Sequence, residues 1–509
     1  LIVNVILLLI LLLPASIHLQ SKFFSLPVTK KNNRTRFFLL VVFVISKSIS
    51  YSQVVEKAPT SPVTVIAAPI DSVNRLIEIT DVIISGFKRT RPYVIEREMP
   101  FKRGDSIWSN DLPAKLSLCK QQLMNTTLFV DVDINTIKLD STRVLLDVLV
   151  KERWYLFPIP YFRIVSRNFN TWWVEENHSL DRVEYGIKFM QNNFSGRNDN
   201  LNIWVLSGYT QQLSMRYENP NIDKKLKQGI NFGFGYKRNR ELNYIVDSNK
   251  QKFFKQPGQF ITNQLYTDFS YTYRPAIRTR HTLKAAYLSL QVSDTVLKLN
   301  PRYFGSADTR VNFLELSYNL SYTYLDYNPY PLKGFAGEVA LTKRFGKYSH
   351  FWQLSGRLNF NKKLARTTFA QLQGVGKIKL PFNQPYISNN MMGASDFYLR
   401  GLEYYVVEGV AGGIGRATIK NEILSLNVHN PLKSKTHDKI PFRVFIKTFG
   451  DVGYSYSKNL NYSRLNNRLL KTWGVGLDIV TFYDIVIRLE YSFNQLGDKA
   501  LFFHTQNDW

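Results

Sequence analysis

Leu314-Glu315-Leu316-Ser317-Tyr318-Asn319-Leu320-Ser321-Tyr322-Thr323-Tyr324 sets an apolar or aromatic side chain at every even position and a polar one at every odd position. A period of two sends these sets to opposite faces of one extended strand. One face suits lipid and the other suits water. The pattern returns as Leu265, Phe269, Tyr271 and Tyr273 against Gln264, Asp268 and Ser270, and as Ile485, Ile487, Leu489, Tyr491 and Phe493 against Arg488, Glu490 and Ser492. A single strand of this kind would serve a soluble β-sandwich equally well. From about Trp154 to Trp509, however, sixteen follow one another in an unbroken array. A sheet that meets hydrocarbon must satisfy every backbone group and leave no edge. The array therefore predicts a transmembrane β-barrel of 16 antiparallel strands over 154–509.

Composition agrees with this reading. Hydrophobic residues make up 44% of the 509 and mean hydropathy is −0.20, values that look soluble because alternation hides the apolar half of each strand. After residue 52 no apolar run approaches the roughly 20 residues that a membrane-crossing helix needs. The formal net charge is +27; six basic and no acidic residues precede Gln53, which leaves +21 beyond it. Such a balance raises the question of nucleic acid. The Lys and Arg are scattered along the strands instead of clustered, so anionic lipid headgroups and a cationic lumen are the expected outlets, and no nucleic-acid partner is expected. Cys119 is the only cysteine, which excludes an intrachain disulfide.

The N-terminal region reads as an export signal. Lys30, Lys31, Arg34 and Arg36 precede the apolar stretch 37–45, and Ser50-Tyr51-Ser52 supplies small residues before Gln53, so cleavage is expected near Ser52. A second apolar run, 5–13, lies within the first 29 residues, which are read as an artefact of the assigned start. Pro59, Pro62 and Pro69 mark 53–74 as a linker. Beyond it the periodicity predicts a strand at 77–84, helices at 91–97 and 110–124, and strands at 128–137 and 143–151. The second helix is capped by Ser109 or Asn110 and carries Leu112, Leu116, Cys119 and Leu123 on one face. This β-α-α-β-β unit, 75–153, is expected to lay a helical layer on a three-stranded sheet.

Alternation also assigns lumen faces. In 442–454, Phe442, Val444, Ile446, Val452 and Tyr454 form the lipid set, leaving Arg443, Lys447, Phe449, Asp451 and Gly453 inside. In 416–424, Ala417, Ile419 and Ile423 face lipid, and Arg416, Lys420 and Glu422 face inward. Two carboxylates, Glu422 and Asp451, thus line one sector of the lumen. Gly412, Gly413 and Gly415 lack the pattern of a phosphate loop and are read as flexible strand. The seven histidines show no metal spacing, no nucleophile elbow occurs, and neither enzymatic activity nor a cofactor is expected.

The residues at this point resemble a known family. Ile79-Thr80-Asp81-Val82-Ile83-Ile84-Ser85-Gly86, Ile95-Glu96-Arg97-Glu98, Gly104-Asp105, Leu128-Phe129-Val130-Asp131-Val132 and Val148-Leu149-Val150-Lys151-Glu152-Arg153-Trp154 resemble a polypeptide-transport-associated (POTRA) domain. A POTRA domain before a 16-stranded barrel resembles the BamA/TamA-like outer-membrane assembly factors and the two-partner secretion transporters. In the segment 381–412, Tyr398-Leu399-Arg400-Gly401-Leu402 is similar to that family's Arg-Gly-aromatic loop motif. Leu402 departs from the usual aromatic, with Tyr404 and Tyr405 nearby as substitutes. The resemblance implies that Arg400, with Gly401, reaches inward to Asp451 of a Phe449-x-Asp451-x-Gly453 strand motif, aided by Glu422. An arginine fork is suited to hold carboxylates and pin a long loop. The last strand, 501–509, contains Phe503 and ends in Trp509 as barrel assembly signals do; Asn507, where an apolar residue is usual, is expected to weaken its pairing.

The resemblance implies a bacterial outer-membrane protein with its POTRA domain in the periplasm, acting on outer-membrane or secreted client polypeptides. Outer-membrane lipids and accessory lipoproteins are its further expected partners. A laterally opening seam between strands near 155–164 and 501–509 would do the work, driven without ATP by the folding of the client strand. Two alternatives stand beside this: a two-partner secretion transporter, and a passive porin or structural barrel. A single POTRA points to an accessory paralogue.

Overall fold

The computed structural model describes residues 74–165, 182–223, 225–256, 258–393, 397–429, 439–458, 463–481 and 485–504. The proposed signal region and nearly all of the linker lie outside these, as do Asn507 and Trp509.

The N-terminal domain comprises β1 (Leu76–Ser85), α1 (Pro92–Glu98), β2 (Ser106–Trp108), α2 (Leu112–Asn125), β3 (Phe129–Lys138) and β4 (Arg143–Glu152). Its sheet has four strands instead of the expected three, in the order β2-β1-β4-β3, because the short β2 pairs antiparallel with the start of β1. Three residues are too few for a periodicity to show. The parallel β1–β4 pair is bridged by both helices, and β4 lies inside the sheet. The sheet's edges are therefore the short β2 and the full-length β3. Helix α2 opens with Pro113 in its first turn and packs Cys119 and Leu123, with Leu116 beside them, into the core that holds Ile79, Val132, Leu146 and Val148.

Eleven barrel strands run to Leu380. They are β5 (Leu156–Ile164), β6 (Val183–Gln191), β7 (Asn200–Gly208), β8 (Thr210–Asn219) and β9 (Gln228–Asn239). After a hairpin of β10 (Glu241–Asp247) and β11 (Lys250–Lys255) come β12 (Thr262–Tyr273), β13 (Thr279–Val292), helix α3 (Asp294–Leu299), β14 (Arg310–Leu325), β15 (Gly334–Phe345), β16 (Phe351–Lys363) and β17 (Thr368–Leu380). The segment that follows carries the small pair β18 (Asn390–Met392) and β19 (Val407–Glu408). Five further strands complete the sheet: β20 (Ala411–His429), β21 (Lys439–Tyr456), β22 (Leu470–Val480), β23 (Val486–Asn494) and β24 (Lys499–His504). All 16 form one antiparallel sheet from β5 to β24.

The burial is inverted relative to a soluble protein. Leu316 and Tyr324 on β14 are each 46% exposed, whereas Asp268, Asn359, Lys447, Asp478 and Glu490 are buried. The apolar face points outward and the polar face is enclosed, as lipid on the outside requires. No helix among the described residues is long and apolar enough to cross a membrane. Because β4 leads directly into β5, the barrel end at Leu156 is the POTRA end. Long connections at the other end, including β10–β11, α3 and the 381–410 segment, join in one apolar cluster of Val246, Val296, Tyr303, Phe304, Tyr386 and Val406 over that mouth.

Candidate functional site

Strand parity alone brings the anchoring groups together. On β21 residues 447, 449, 451 and 453 share the inner face, and β20 pairs with β21 so that Thr418 lies opposite Phe449 and Arg416 opposite Asp451. Phe449 and Asp451 are buried while Ile446, Val452 and Tyr454 are exposed on the outside. Val444 is an exception to the expected lipid set, being buried, and Phe445, which alternation overlooked, is fully enclosed. The ladder slips between Glu422 and Leu424 at this level, which breaks the strict parity.

The 381–410 segment folds back into this space. Arg400 Nη2 donates to Asp451 Oδ1 at 2.5 Å, Nε donates to Oδ2 at 3.0 Å, and the Arg400 backbone N–H donates to the same carboxylate at 3.1 Å. The guanidinium also donates to Thr418 Oγ1 at 3.1 Å and lies 4.0 Å from the centroid of the Phe449 ring. Side chain and main chain of one residue are thus held by a single carboxylate. Both partners are removed from water, which makes each dependent on the other.

Glycine has specific work here. Gly401 adopts φ +87° and its carbonyl accepts from Asn494 Nδ2 at 2.9 Å, so the left-handed turn after Arg400 ties the loop to β23. A Cβ on Gly453 would stand 2.7 Å from Leu399 Cδ1, so the glycine leaves room for the loop residue beside Arg400.

Glu422 is not part of the Arg400 site. It pairs with Arg443 at 2.7 Å, nearer the POTRA end, because four residues of β20 separate it from Thr418. The second carboxylate near Arg400 is Glu490 on β23, at 3.8 Å, itself bound to Lys447 at 2.6 Å. Alternation already set Glu490 inside; only the position of β23 around the wall could assign it to Arg400. Leu402, at the expected aromatic position, is buried with Met391, Phe397, Leu399 and Leu465. Tyr404 and Tyr405 do not take its place: the first packs on Phe502, 5.3 Å between ring centres, and the second donates to Asp498 at 2.7 Å. Glu403, Glu490 and His504 offer ligand atoms within 4.8 Å of one another, but the Lys447 ammonium already supplies the cation at Glu490.

On the terminal strand, Phe503 is half-buried opposite Leu489, whereas Phe502 and His504 point inward. His504 Nε2 lies 3.2 Å from Glu403 Oε1 and its ring stacks on Tyr398. Loop and last strand are therefore in direct contact.

The Omp85 superfamily domain matches residues 193–494, and the POTRA family described as surface antigen variable number repeat matches 77–153. Among solved structures the chain is similar to BamA from Haemophilus ducreyi lacking POTRA domains 1–3, with 13% identity, covering 84% of this chain and 83% of that one at a TM-score of 0.46. It is also similar to CdiB from Acinetobacter baumannii, with 12% identity, 84% and 73% coverage and a TM-score of 0.46. A comparison with curated proteins gives no match. The domain match spans more than half of the sequence, and the chain belongs to the Omp85 superfamily of outer-membrane barrels that insert or translocate polypeptides.

Proposed function

We propose that this chain is an outer-membrane assembly factor that hands client strands to lipid through a seam between β5 and β24. The observation that carries this reading is the edge of β5. Its pairing with β6 runs through every residue from Leu156 to Ile164, including Pro158 and Pro160. An antiparallel ladder bonds through alternate residues, and proline has no N–H to give. Ladder bonds to β6 therefore run through Phe157, Ile159 and Tyr161, and the two prolines turn their backbone toward β24. That edge lacks two donors.

Among the described residues no ladder joins β24 to β5. A seam poor in donors is easily parted, and an incoming client strand is what an unsatisfied edge accepts. The POTRA edge β3 supplies a second docking strand on the periplasmic side. In this reading Arg400 fixes the loop that rests on β24 through His504 and Phe502, and so sets how readily the terminal strand moves.

A passive porin is the weaker reading, since the interior is filled by the chain's own loop and both mouths are covered by chain elements. A two-partner secretion transporter remains the rival, distinguished by export through the lumen instead of release through the wall. Reconstitution in lipid vesicles tests all three. Client strands should become membrane-integrated with little ion conductance. High steady conductance without client integration supports the porin, and delivery of a client to the far side supports export.

A further inference from the structure

The turn between β14 and β15 does something that no strand pattern announces. Asp326-Tyr327-Asn328-Pro329-Tyr330-Pro331-Leu332-Lys333 is closed by the Asp326 carboxylate, which accepts backbone N–H bonds from Tyr327, Leu332 and Lys333 at 2.9, 3.0 and 3.1 Å. Between two prolines, Tyr330 is carried into the barrel and is 1% exposed. It lands beneath a different part of the wall, against Phe445 of β21 with 4.9 Å between ring centres and under the Lys420 ammonium of β20 at 4.2 Å. Its hydroxyl donates to Asp478 of β22 at 2.8 Å. In sheet order β22 lies five strands from β15 and six from β14, the two strands this turn joins, so the turn crosses the lumen instead of lining it.

Two connections meet at the turn. From Asp478 a chain of buried charges leads on: Lys447 at 2.5 Å, then Glu490 at 2.6 Å from Lys447, then Arg400 at 3.8 Å from Glu490. On the outer side, the POTRA helix α2 holds the same turn. Gln121 Nε2 donates to the Leu325 carbonyl at 2.6 Å, and Asn125 Oδ1 accepts from the Asn328 N–H at 3.1 Å.

We infer that Tyr330 is a positioning residue that couples the docking of the POTRA helix to the anchoring of the Arg400 loop. The physical basis is the dryness of the chain between them. Asp478 and Glu490 are buried, so each relies on its protein donors and cannot turn to water when one is withdrawn. If α2 moves away, the turn loses the contacts that aim Tyr330; Asp478 then loses a donor and draws more heavily on Lys447, which it shares with Glu490. Glu490 in turn is the second carboxylate facing Arg400. A periplasmic event at the helix is thereby transmitted to the loop at the far mouth. The inference holds whether clients are inserted or exported, because it concerns only how the loop is held.

Hydrogen exchange of the full chain in lipid nanodiscs, read over the loop amides 397–408, tests it without any client. Tyr330→Phe keeps the ring in its pocket and removes only the hydroxyl. It should speed exchange of these amides by about tenfold, Asp478→Asn should do the same, and the double variant should add little beyond either, since both break one link. In a Cys119→Ser background, a disulfide formed between Asn125→Cys and Asn328→Cys pins helix to turn. Oxidation should slow loop exchange with Tyr330 present and should have no effect once Tyr330→Phe is added. Unchanged exchange in Tyr330→Phe would mean the residue merely fills space. A disulfide effect that survives Tyr330→Phe would mean the coupling runs by another route; either result overturns the inference.

Discussion

At the residue scale the decisive contact is one arginine held by one aspartate through three kinds of donor: Nη2, Nε and its own backbone N–H. Because water cannot replace a missing partner there, Arg400→Ala should destabilise loop docking by roughly 3–5 kcal/mol while the barrel still assembles, its ladder not depending on that contact. In a cycle with Asp451→Asn the losses should be non-additive by roughly 0.5–3 kcal/mol in resistance to heat or denaturant. Additive losses would mean the pair does not interact in solution. Glu422→Gln, by contrast, should leave loop protection from external protease unchanged, since Glu422 serves Arg443. Gly453→Ala should act like a weak Arg400 variant, pressing a methyl into Leu399 and raising protease cleavage of the loop without touching a charge. Cys119, fully buried on the inner face of α2, has its thiol pushed up to about 12 by that burial. It should resist maleimide at neutral pH until the POTRA domain is unfolded, so rapid labelling of the native protein would contradict the packing described.

At the element scale the seam strands stand apart from the rest of the wall. The middle strands β12 to β17 are 12 to 16 residues long, whereas β5 has nine. Replacing Pro158 and Pro160 by Val returns two N–H groups to the closing edge. At about 0.5–1.5 kcal/mol for each bond formed, the seam should become firmer and client integration slower. Integration at the parent rate would show that the prolines do not set the seam's strength. Cysteine pairs stepped along 156–164 and 499–504 after Cys119→Ser should crosslink at one register and halt integration until reductant is added. Across the domain boundary, deletion of 75–153 should leave a folded barrel that receives clients poorly, because β3 is then gone.

On the scale of the whole molecule, the polypeptide is layered from one mouth to the other. The POTRA domain sits against the near turns through Glu98–Arg274 at 2.5 Å and Arg89 to the Phe194 carbonyl at 2.6 Å, leaving a polar cavity of about 610 Å³ beneath the barrel bordered by Glu98, Gln122, Arg280 and Asn319. Above it come the Tyr330 turn, the buried charge chain and the Arg400 loop, and at the far mouth Asn249 of the β10–β11 hairpin receives the backbone N–H of Arg464 at 2.8 Å and donates to the Val406 carbonyl at 3.1 Å. Each layer touches the next. Wild-type protein in planar bilayers should therefore conduct poorly, and removal of 397–408 should raise conductance sharply; an open parent channel would contradict this stacking.

Alternation by itself determined the barrel, its 16 strands and the inner face of Arg416, Lys420, Lys447, Asp451 and Glu490, because a period of two is a local property that lipid makes obligatory. The motif at Arg400 was legible as well, and so was the buried face of α2. Three things were decided only by the tertiary structure. Glu422 and Glu490 look alike in sequence, and which one meets Arg400 depends on height along the wall and on strand order. The free side of β5 follows from which residues bond to β6, a matter of pairing that no single strand records. Tyr330 reads as an ordinary turn residue between prolines, yet it ends inside the lumen, because the curled wall brings β14 and β22 within reach across the interior when five strands separate them along the sheet.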